Sequence, residues 1–484
     1  MSIEDFLGED ILGKQEVQAK RLSDIDRENL DRQISLEELE TSLKSSNFNS
    51  APGIDGLSNK VLRAFWSILK NAIFEGFNSM IDKGYLTPLL KVGGIRLIPK
   101  KGELSDIANW RPISLLSVVY KLFSGVVTKR LEPHMDVISS KSQKGYSRSK
   151  RIHDAVINIT ELINICSSEN IDLITIAIDF SKAFDSVHSP YIFKVLEFFN
   201  FGPYFKKLIE VCLTGRLGCI ITETGYTPNF EINQGVPQGD RLSPYLFILC
   251  LEILLIKISF SNELSGPDIP GLPKHDKLEG FADDLTASLA AKSQNIIILN
   301  QILTNFRLLS GLKVNNDKTK IILTSTNQQL INEITGVAEE LGFLIVEEME
   351  LLGFTIYRDP SKLKNNWNKV VQKITKKCHT WKIFNLSMQG RIIVAKTHLT
   401  SQLQYVGTIL PSSLEVEQIL SSIIENFVQG GNKKISKDKL YSPVTEGGIN
   451  LIKIKPAPAV KASTMVVPGT IMVCFVRATE SSEN

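Results

Sequence analysis

Two adjacent acids sit in an otherwise apolar stretch at 280–288, "GFADDLTAS". Phe281, Leu285 and Thr286 favour a buried or half-buried strand there. Two like charges about 4 Å apart near a protein surface repel by roughly 4 kcal/mol, so Asp283 and Asp284 need a reason to share it. Far upstream, Ile174-Thr175-Ile176-Ala177-Ile178 is β-branched and apolar, a central strand that delivers Asp179 to its C-terminal end. If the two strands are neighbours in one sheet, three carboxylates converge on a patch that a divalent cation would neutralise. Mg2+ is held by one or two carboxylates plus substrate phosphates, and two such ions about 3.5–4 Å apart serve an in-line phosphoryl displacement. A lone Asp-Asp pair is ordinarily a solvated turn, and Asp179 alone could cap a helix. The surrounding segments decide between these readings.

The first fifty residues carry twelve Asp or Glu against six Lys or Arg, and Ser35 followed by Glu38 matches a capping box. "GGIRLIPKKG" at 93–102 reads as a strand ending in a basic turn. "NWRPISLLSVVYKL" begins extended and becomes helical. "INQGVPQGDRLSPYLFILCLEILLIKI" is a Gly-rich loop opening a long apolar helix, with Ser243 as its N-cap and Pro244 at the first helical position. "MELLGFTIYRD" gives one more short strand. Beyond Asp359 the apolar period is helical, with Trp367, Val370, Val371, Ile374, Cys378 and Trp381 on one face. From Ser361 to Pro411 there are nine basic residues and no acidic one, which points to a polyanion partner.

The ordered set "APGIDG", "RLIPKKG", "NWRPISLLSVVYKL", "SQKGYSRSKRIHDAV", "AIDFSKAFDSV", "QGVPQGDRLSP", "GFADD", "GLKVNNDKTK" and "LLGF" resembles the reverse transcriptase of non-LTR (LINE-type) retrotransposons over roughly residues 50–455. The resemblance implies an α+β right-hand polymerase with a ferredoxin-like palm, fingers and a helical thumb. It implies an acidic N-terminal extension at 1–50, fingers and palm at 51–357, and a basic thumb and connection at 358–455. An irregular tail would follow at 456–484. The implied reaction is RNA-directed DNA polymerisation: dNTPs are added to a DNA or RNA primer on an RNA template with two Mg2+ ions, or Mn2+ in their place.

By that resemblance Asp179, Asp283 and Asp284 are the catalytic, metal-binding carboxylates. Successive strand residues face opposite ways, which favours Asp179 and Asp283 as direct ligands and puts Asp284 at the hairpin turn. Phe184 matches the aromatic that excludes a ribose 2′-OH, and Asp185 is structural. Gln238 and Gly239 fall in the loop that touches the incoming nucleotide and template base. Lys100 and Arg111 match basic residues that hold triphosphate oxygens. Lys318 is a candidate general acid for the departing pyrophosphate, with Lys320 as its rival. Lys369, Lys373, Lys376, Lys377 and Arg391 match the surface that grips the template–primer duplex. The segment at 142–156 departs from the family's usual form, which bears on its template contact.

The remaining properties narrow the class. The six cysteines at 166, 212, 219, 250, 378 and 474 form no C-x-x-C pair, which fits a reducing, intracellular setting in nucleus or cytoplasm. No uninterrupted apolar run reaches about 18 residues, so no membrane span is expected. Neither an N-terminal endonuclease nor a Cys/His knuckle accompanies the nine segments, so the expectation is an isolated polymerase region. Two other readings stay open: a catalytically silent nucleic-acid-binding remnant, and an intron-encoded maturase with a related palm.

Overall fold

Alternation of β-branched and aromatic residues with turn formers gives twelve strands up to Tyr357, among the described residues, that build the sheets around the acids. The computed structural model describes residues 1–484 except 101, 148, 272–275, 432–434, 452–453, 455–464, 468–469 and 473–484, with backbone alone at 108, 465–467 and 470–472. In chain order, β1 (Val92–Pro99) and β2 (Trp110–Leu115) form a hairpin, and β3 (Leu173–Ile178) follows. Next come β4 (Arg216–Thr222), β5 (Gly225–Tyr226) and β6 (Phe230–Ile232). A second hairpin joins β7 (Leu278–Phe281) to β8 (Asp284–Ala290). The series ends with β9 (Lys320–Thr324), β10 (Leu344–Ile345), β11 (Glu348–Leu351) and β12 (Phe354–Tyr357). The central sheet runs β10-β9-β3-β8-β7, with β3 antiparallel to both β8 and β9. A second sheet joins β2, β1 and β4, with β5 and β6 both paired to β4.

The middle place of β3 follows from its two apolar faces. Ile174, Ile176 and Ile178 join one core, while Leu173 and Ala177 pack on a second. The first core is built around the helix Ser243–Phe260, in which every residue from Leu246 to Ile256 is buried. A helix apolar on all sides needs protein, or lipid, all round it. By length and composition alone this one could cross a membrane; here the first core surrounds it.

Ser243 does not cap that helix. Its hydroxyl donates to the Pro237 carbonyl (2.8 Å), and Asp240, just upstream, accepts from the amides of Arg241 and Leu242. The helix Ser243–Phe260 has no side-chain cap.

The acidic first fifty residues form five short helices whose apolar side chains Ile3, Phe6, Leu7, Ile11 and Val17 are buried in the first core. The capping box at Ser35 and Glu38 is present. Arg130 ties this layer down: Nε and Nη2 donate to the two oxygens of Glu38 (2.6 and 2.7 Å), and Nη1 donates to the Leu30 carbonyl (3.0 Å).

The second core takes in the helices Ile152–Ser168, Asn365–Lys382 and Leu414–Gln429. In the Asn365–Lys382 helix Trp367, Val370, Ile374 and Cys378 are buried, as the periodicity predicts. "MELLGFTIYRD" is not one strand but the β11–β12 hairpin. Leu352 (φ 51°) and Gly353 (φ 81°) form its two-residue turn, and two positive φ values in a row reverse the chain tightly. The tail expected at 456–484 lies outside the described residues apart from the backbone of a short hairpin, Met465–Val467 with Thr470–Met472.

Candidate active site

Ile178 at the end of β3 pairs with Leu285, the second residue of β8. Asp179 and Asp284, the next residue outward on each strand, therefore stand at the same edge of the sheet. The β7–β8 hairpin closes through Phe281 opposite Asp284, which leaves Ala282 and Asp283 as its two-residue turn. This corrects the expected order: Asp283 lies in the turn and Asp284 heads the strand. The chain reverses one residue earlier than strand alternation suggested because Ala282 takes a left-handed conformation (φ 55°).

The three acids share one electric field. Burial raises the Asp179 carboxyl, opposed by the charges of Lys318 and Lys100 and by a hydrogen bond from Asn315. Burial also raises Asp283, and Asp179 adds to the rise, while its own backbone amide and Arg111 oppose it. Asp284 keeps an exposed face at the head of β8, yet the protein around it pushes it up to about 6, first by desolvation and then through Asp283 and Asp179. Among the described residues none of the three makes an ion pair within 4 Å. Nor do any three Asp, Glu, His or Cys side chains among those residues gather closely enough to chelate one ion. Carboxylates grouped closely enough that Asp179 raises Asp283, and both raise Asp284, are suited to a hard cation. Mg2+ needs only one or two of them when phosphates complete its shell.

Basic residues come from two elements. Lys100 directly follows β1, and its amide donates to the Asn109 carbonyl (2.7 Å). Arg111 lies across from Ile98 on the same hairpin. Lys318 is exposed on a loop held against the acids, since the Asn315 amide donates to the Asp179 carbonyl (2.7 Å) and Ser181 to that of Lys313 (2.8 Å). Lys320, its rival, is the first residue of β9 and pairs with Ala177. Of these two lysines it is Lys318 whose charge lowers Asp179.

The Gly-rich loop is clamped to the second sheet. Ser114 donates to the Gln238 carbonyl (2.7 Å), and a Cβ on Gly239 would meet the Ser114 oxygen at 2.6 Å. With φ 119° there as well, only glycine is unstrained at 239. The Gln238 carboxamide faces both oxygens of Asp185 at 3.4 Å, and the Val236 amide donates to the Phe184 carbonyl (2.7 Å). Phe184 itself is half-buried and stacks on Phe247, ring centroids 4.7 Å apart. Arg216 fastens the loop from below, donating to the carbonyls of Gln234 (2.9 Å) and Gly235 (2.7 Å).

Sequence reasoning passed over Asp240, which anchors this loop by accepting from Tyr120 (2.9 Å) and Ser124 (2.6 Å) in the core. Its only local signal was its place between the loop and the helix in "QGDRLSP".

In the C-terminal helices Lys373 and Lys376 are exposed, and Lys377 is half-buried. Lys369 donates to the Thr355 hydroxyl (2.6 Å). Arg391, expected on the gripping surface, is turned inward. Its Nε donates to the Val428 carbonyl (2.9 Å) and Nη1 to that of Leu386 (2.9 Å), so it serves the end of the helix Leu414–Gln429. Open carbonyls in a helix's last turn attract a guanidinium.

The chain matches the family model described as reverse transcriptase (RNA-dependent DNA polymerase) over residues 98–356. It is 24% identical over 431 residues to the transposon TX1 uncharacterized 149 kDa protein of Xenopus laevis, a match covering 89% of this chain and 32% of that one. It is 30% identical over 297 residues to the retrovirus-related Pol polyprotein from type-1 retrotransposable element R2 of Popillia japonica, covering 60% of this chain and 39% of that one. Against the RNA-directed DNA polymerase from mobile element jockey of Drosophila melanogaster it is 28% identical over 222 residues, 44% of this chain and 24% of that one. The chain thus spans well under half the length of these relatives. Its mixed central sheet is consistent with the polymerase palm that the family model implies. The chain belongs to the reverse transcriptase family, in the branch carried by non-LTR retrotransposons.

Proposed function

We propose that this chain is an RNA-directed DNA polymerase that extends a DNA or RNA primer with dNTPs on an RNA template. One observation carries the reading: three carboxylates stand together at one edge of the central sheet, Asp179 raising the proton affinity of Asp283 and both raising that of Asp284, with the charges of Lys100, Lys318 and Arg111 directed at Asp179 and Asp283. Asp179, Asp283 and Asp284 would hold divalent cations, Mg2+ or Mn2+. When bound, two such ions supply charge stabilisation at the attacking and leaving oxygens of a phosphoryl displacement.

The chain's own residues bind and orient. Lys100 and Arg111 hold the triphosphate, Arg111 with a planar fork matched to phosphate oxygens. Phe184, braced by Phe247, sits where a ribose 2′-OH would press. Gln238 and Gly239 carry the loop beside the template base. Lys318 donates the proton that the leaving pyrophosphate takes up. On this reading residues 51–357 make the fingers and palm. Residues 358–455 make a thumb whose Lys369, Lys373, Lys376 and Lys377 meet duplex phosphates and give sequence-independent, salt-sensitive affinity.

Primer extension on poly(rA)/oligo(dT) with Mg2+ tests the reading, with Asp283→Asn as the control. Extension by the wild-type chain and none by the variant is expected. No product from folded wild-type protein would instead mark a silent nucleic-acid-binding remnant.

A further inference from the structure

The turn that carries Asp283 is held from outside the central sheet by residues 142–145. In sheet order β7 ends the central sheet, leaving its outer edge to be paired. The segment 142–145 pairs it: the Gly280 amide donates to the Ser142 carbonyl (2.9 Å), and the Lys144 amide donates to the Gly280 carbonyl (2.7 Å). From there the fully buried Gln143 side chain reaches over the turn. Its Oε1 accepts from the amides of Ala282 (2.9 Å) and Gly145 (2.8 Å), and its Nε2 donates to the Ala282 carbonyl (3.2 Å).

We propose that Gln143 is a positioning residue for the polymerase reaction, fixing the backbone of Ala282 and through it the place of Asp283. The inference rests on the reading of Asp283 as a metal-holding carboxylate. A carboxamide bonded to both the amide and the carbonyl of one residue leaves that peptide a single orientation. The hold is needed because Ala282 is left-handed, a conformation that crowds the Cβ of a non-glycine residue. Gly145 is part of the same contact, since a Cβ there would meet the Ala282 nitrogen at 2.6 Å.

The brace is anchored behind. The Ser140 amide donates to Glu252 of the core helix (2.9 Å), Lys20 pairs with the same carboxylate (3.1 Å), and Lys150 donates to the Ser140 carbonyl (2.8 Å). Lys144 pairs with Glu279 on β7 (3.3 Å). These contacts tie the metal-bearing turn to the core helix and to the N-terminal helices.

Gln143→Met keeps the length and removes all three side-chain hydrogen bonds. Displacement of a reacting group by about 1 Å can cost about 100-fold in rate. The variant should therefore lose about 100-fold in kcat, with the KM for dNTP within about threefold of wild type. Two readouts do not depend on turnover. Hydrogen exchange of the 281–284 amides should speed by about tenfold, and Mn2+ binding, followed by electron paramagnetic resonance, should weaken by about tenfold, each the equivalent of one lost hydrogen bond.

Gly145→Ala should give the same pattern by pressing on the same amide, and it decides the matter if Gln143→Met fails to fold. Tyr191→Phe loses a buried hydrogen bond to the Cys250 carbonyl (2.8 Å) and is the stability control. It should lower Tm yet leave exchange at 281–284, Mn2+ affinity and kcat unchanged. Wild-type exchange and Mn2+ affinity in Gln143→Met, or the same losses in Tyr191→Phe, would overturn the proposal. A wild-type chain that neither extends primers nor binds Mn2+ would defeat the polymerase reading, while the exchange result would still decide whether Gln143 holds the turn.

Discussion

Asp240 and Glu252 are buried against the first core, whereas at the sheet edge Asp283 is half-buried and Asp284 exposed. The two sets differ in what receives the charge. Asp240 accepts from Tyr120, Ser124 and the amides of Arg241 and Leu242. Glu252 meets Lys20 and the Ser140 amide. Asp284 has only influences that raise it: desolvation, Asp283 and Asp179. Buried polar groups that hold a fold are satisfied by the fold. The exposed Asp284 carboxylate, by contrast, is left to solvent or to a bound cation, and a raised acid at such an edge is a candidate for chemistry.

The largest expected departure between the regions is in activity. Asp283→Asn should reduce primer extension by at least about 1,000-fold, comparable to deleting a transition-state charge partner, with Tm unchanged or raised because a repulsion is relieved. Glu252→Ala should do the reverse. Breaking a buried charge pair costs about 3–5 kcal/mol, read as a lowered urea midpoint, because Lys20 and Ser140 would be left without their acceptor.

Glu279 sharpens the contrast between satisfied and unsatisfied acids. Burial pushes it up to about 7 in spite of Lys144 and Asn158. A raised acid binds its proton more tightly in the folded state. Its stabilising contribution is therefore complete below its ordinary value of 4.5 and is lost as pH rises towards about 7. Denaturation at pH 5 and pH 8 should show wild type losing about 3 kcal/mol relative to Glu279→Gln, by the conversion of pKa difference to free energy.

Phe184→Val should narrow the preference for dNTP over rNTP by about 10- to 100-fold, the range of steric discrimination in a pocket. Equal use of both nucleotides by the wild-type chain would refute the role given to Phe184. The smallest effect is expected in the C-terminal helices. Lys373→Ala with Lys376→Ala should flatten the log–log salt dependence of duplex binding by about two, whereas Arg391→Ala should lower Tm and leave that slope alone.

Local chemistry was legible where neighbours in sequence are neighbours in space. The Ile174–Ile178 strand, the Ser35 capping box, the buried face of Trp367, Val370, Ile374 and Cys378, and a hairpin at the Asp-Asp pair all follow from short-range pattern. Failures came where a side chain found another partner or the backbone an unexpected conformation. The Ser243 hydroxyl turned to the Pro237 carbonyl instead of capping, Arg391 was drawn to the carbonyls of Val428 and Leu386, and the turn shifted by one residue onto Ala282.

The sequence by itself determined which residue types could do phosphoryl-transfer chemistry and in what order they occur, because periodicity and turn formers act within a few residues. Only the tertiary structure decided that Asp179 meets Asp283 and Asp284, that Gln143 bonds Ala282, and that the acidic N-terminal helices complete the core. Those outcomes depend on burial and pairing between residues far apart along the chain, and a free energy shared across such distances leaves no pattern in any one segment.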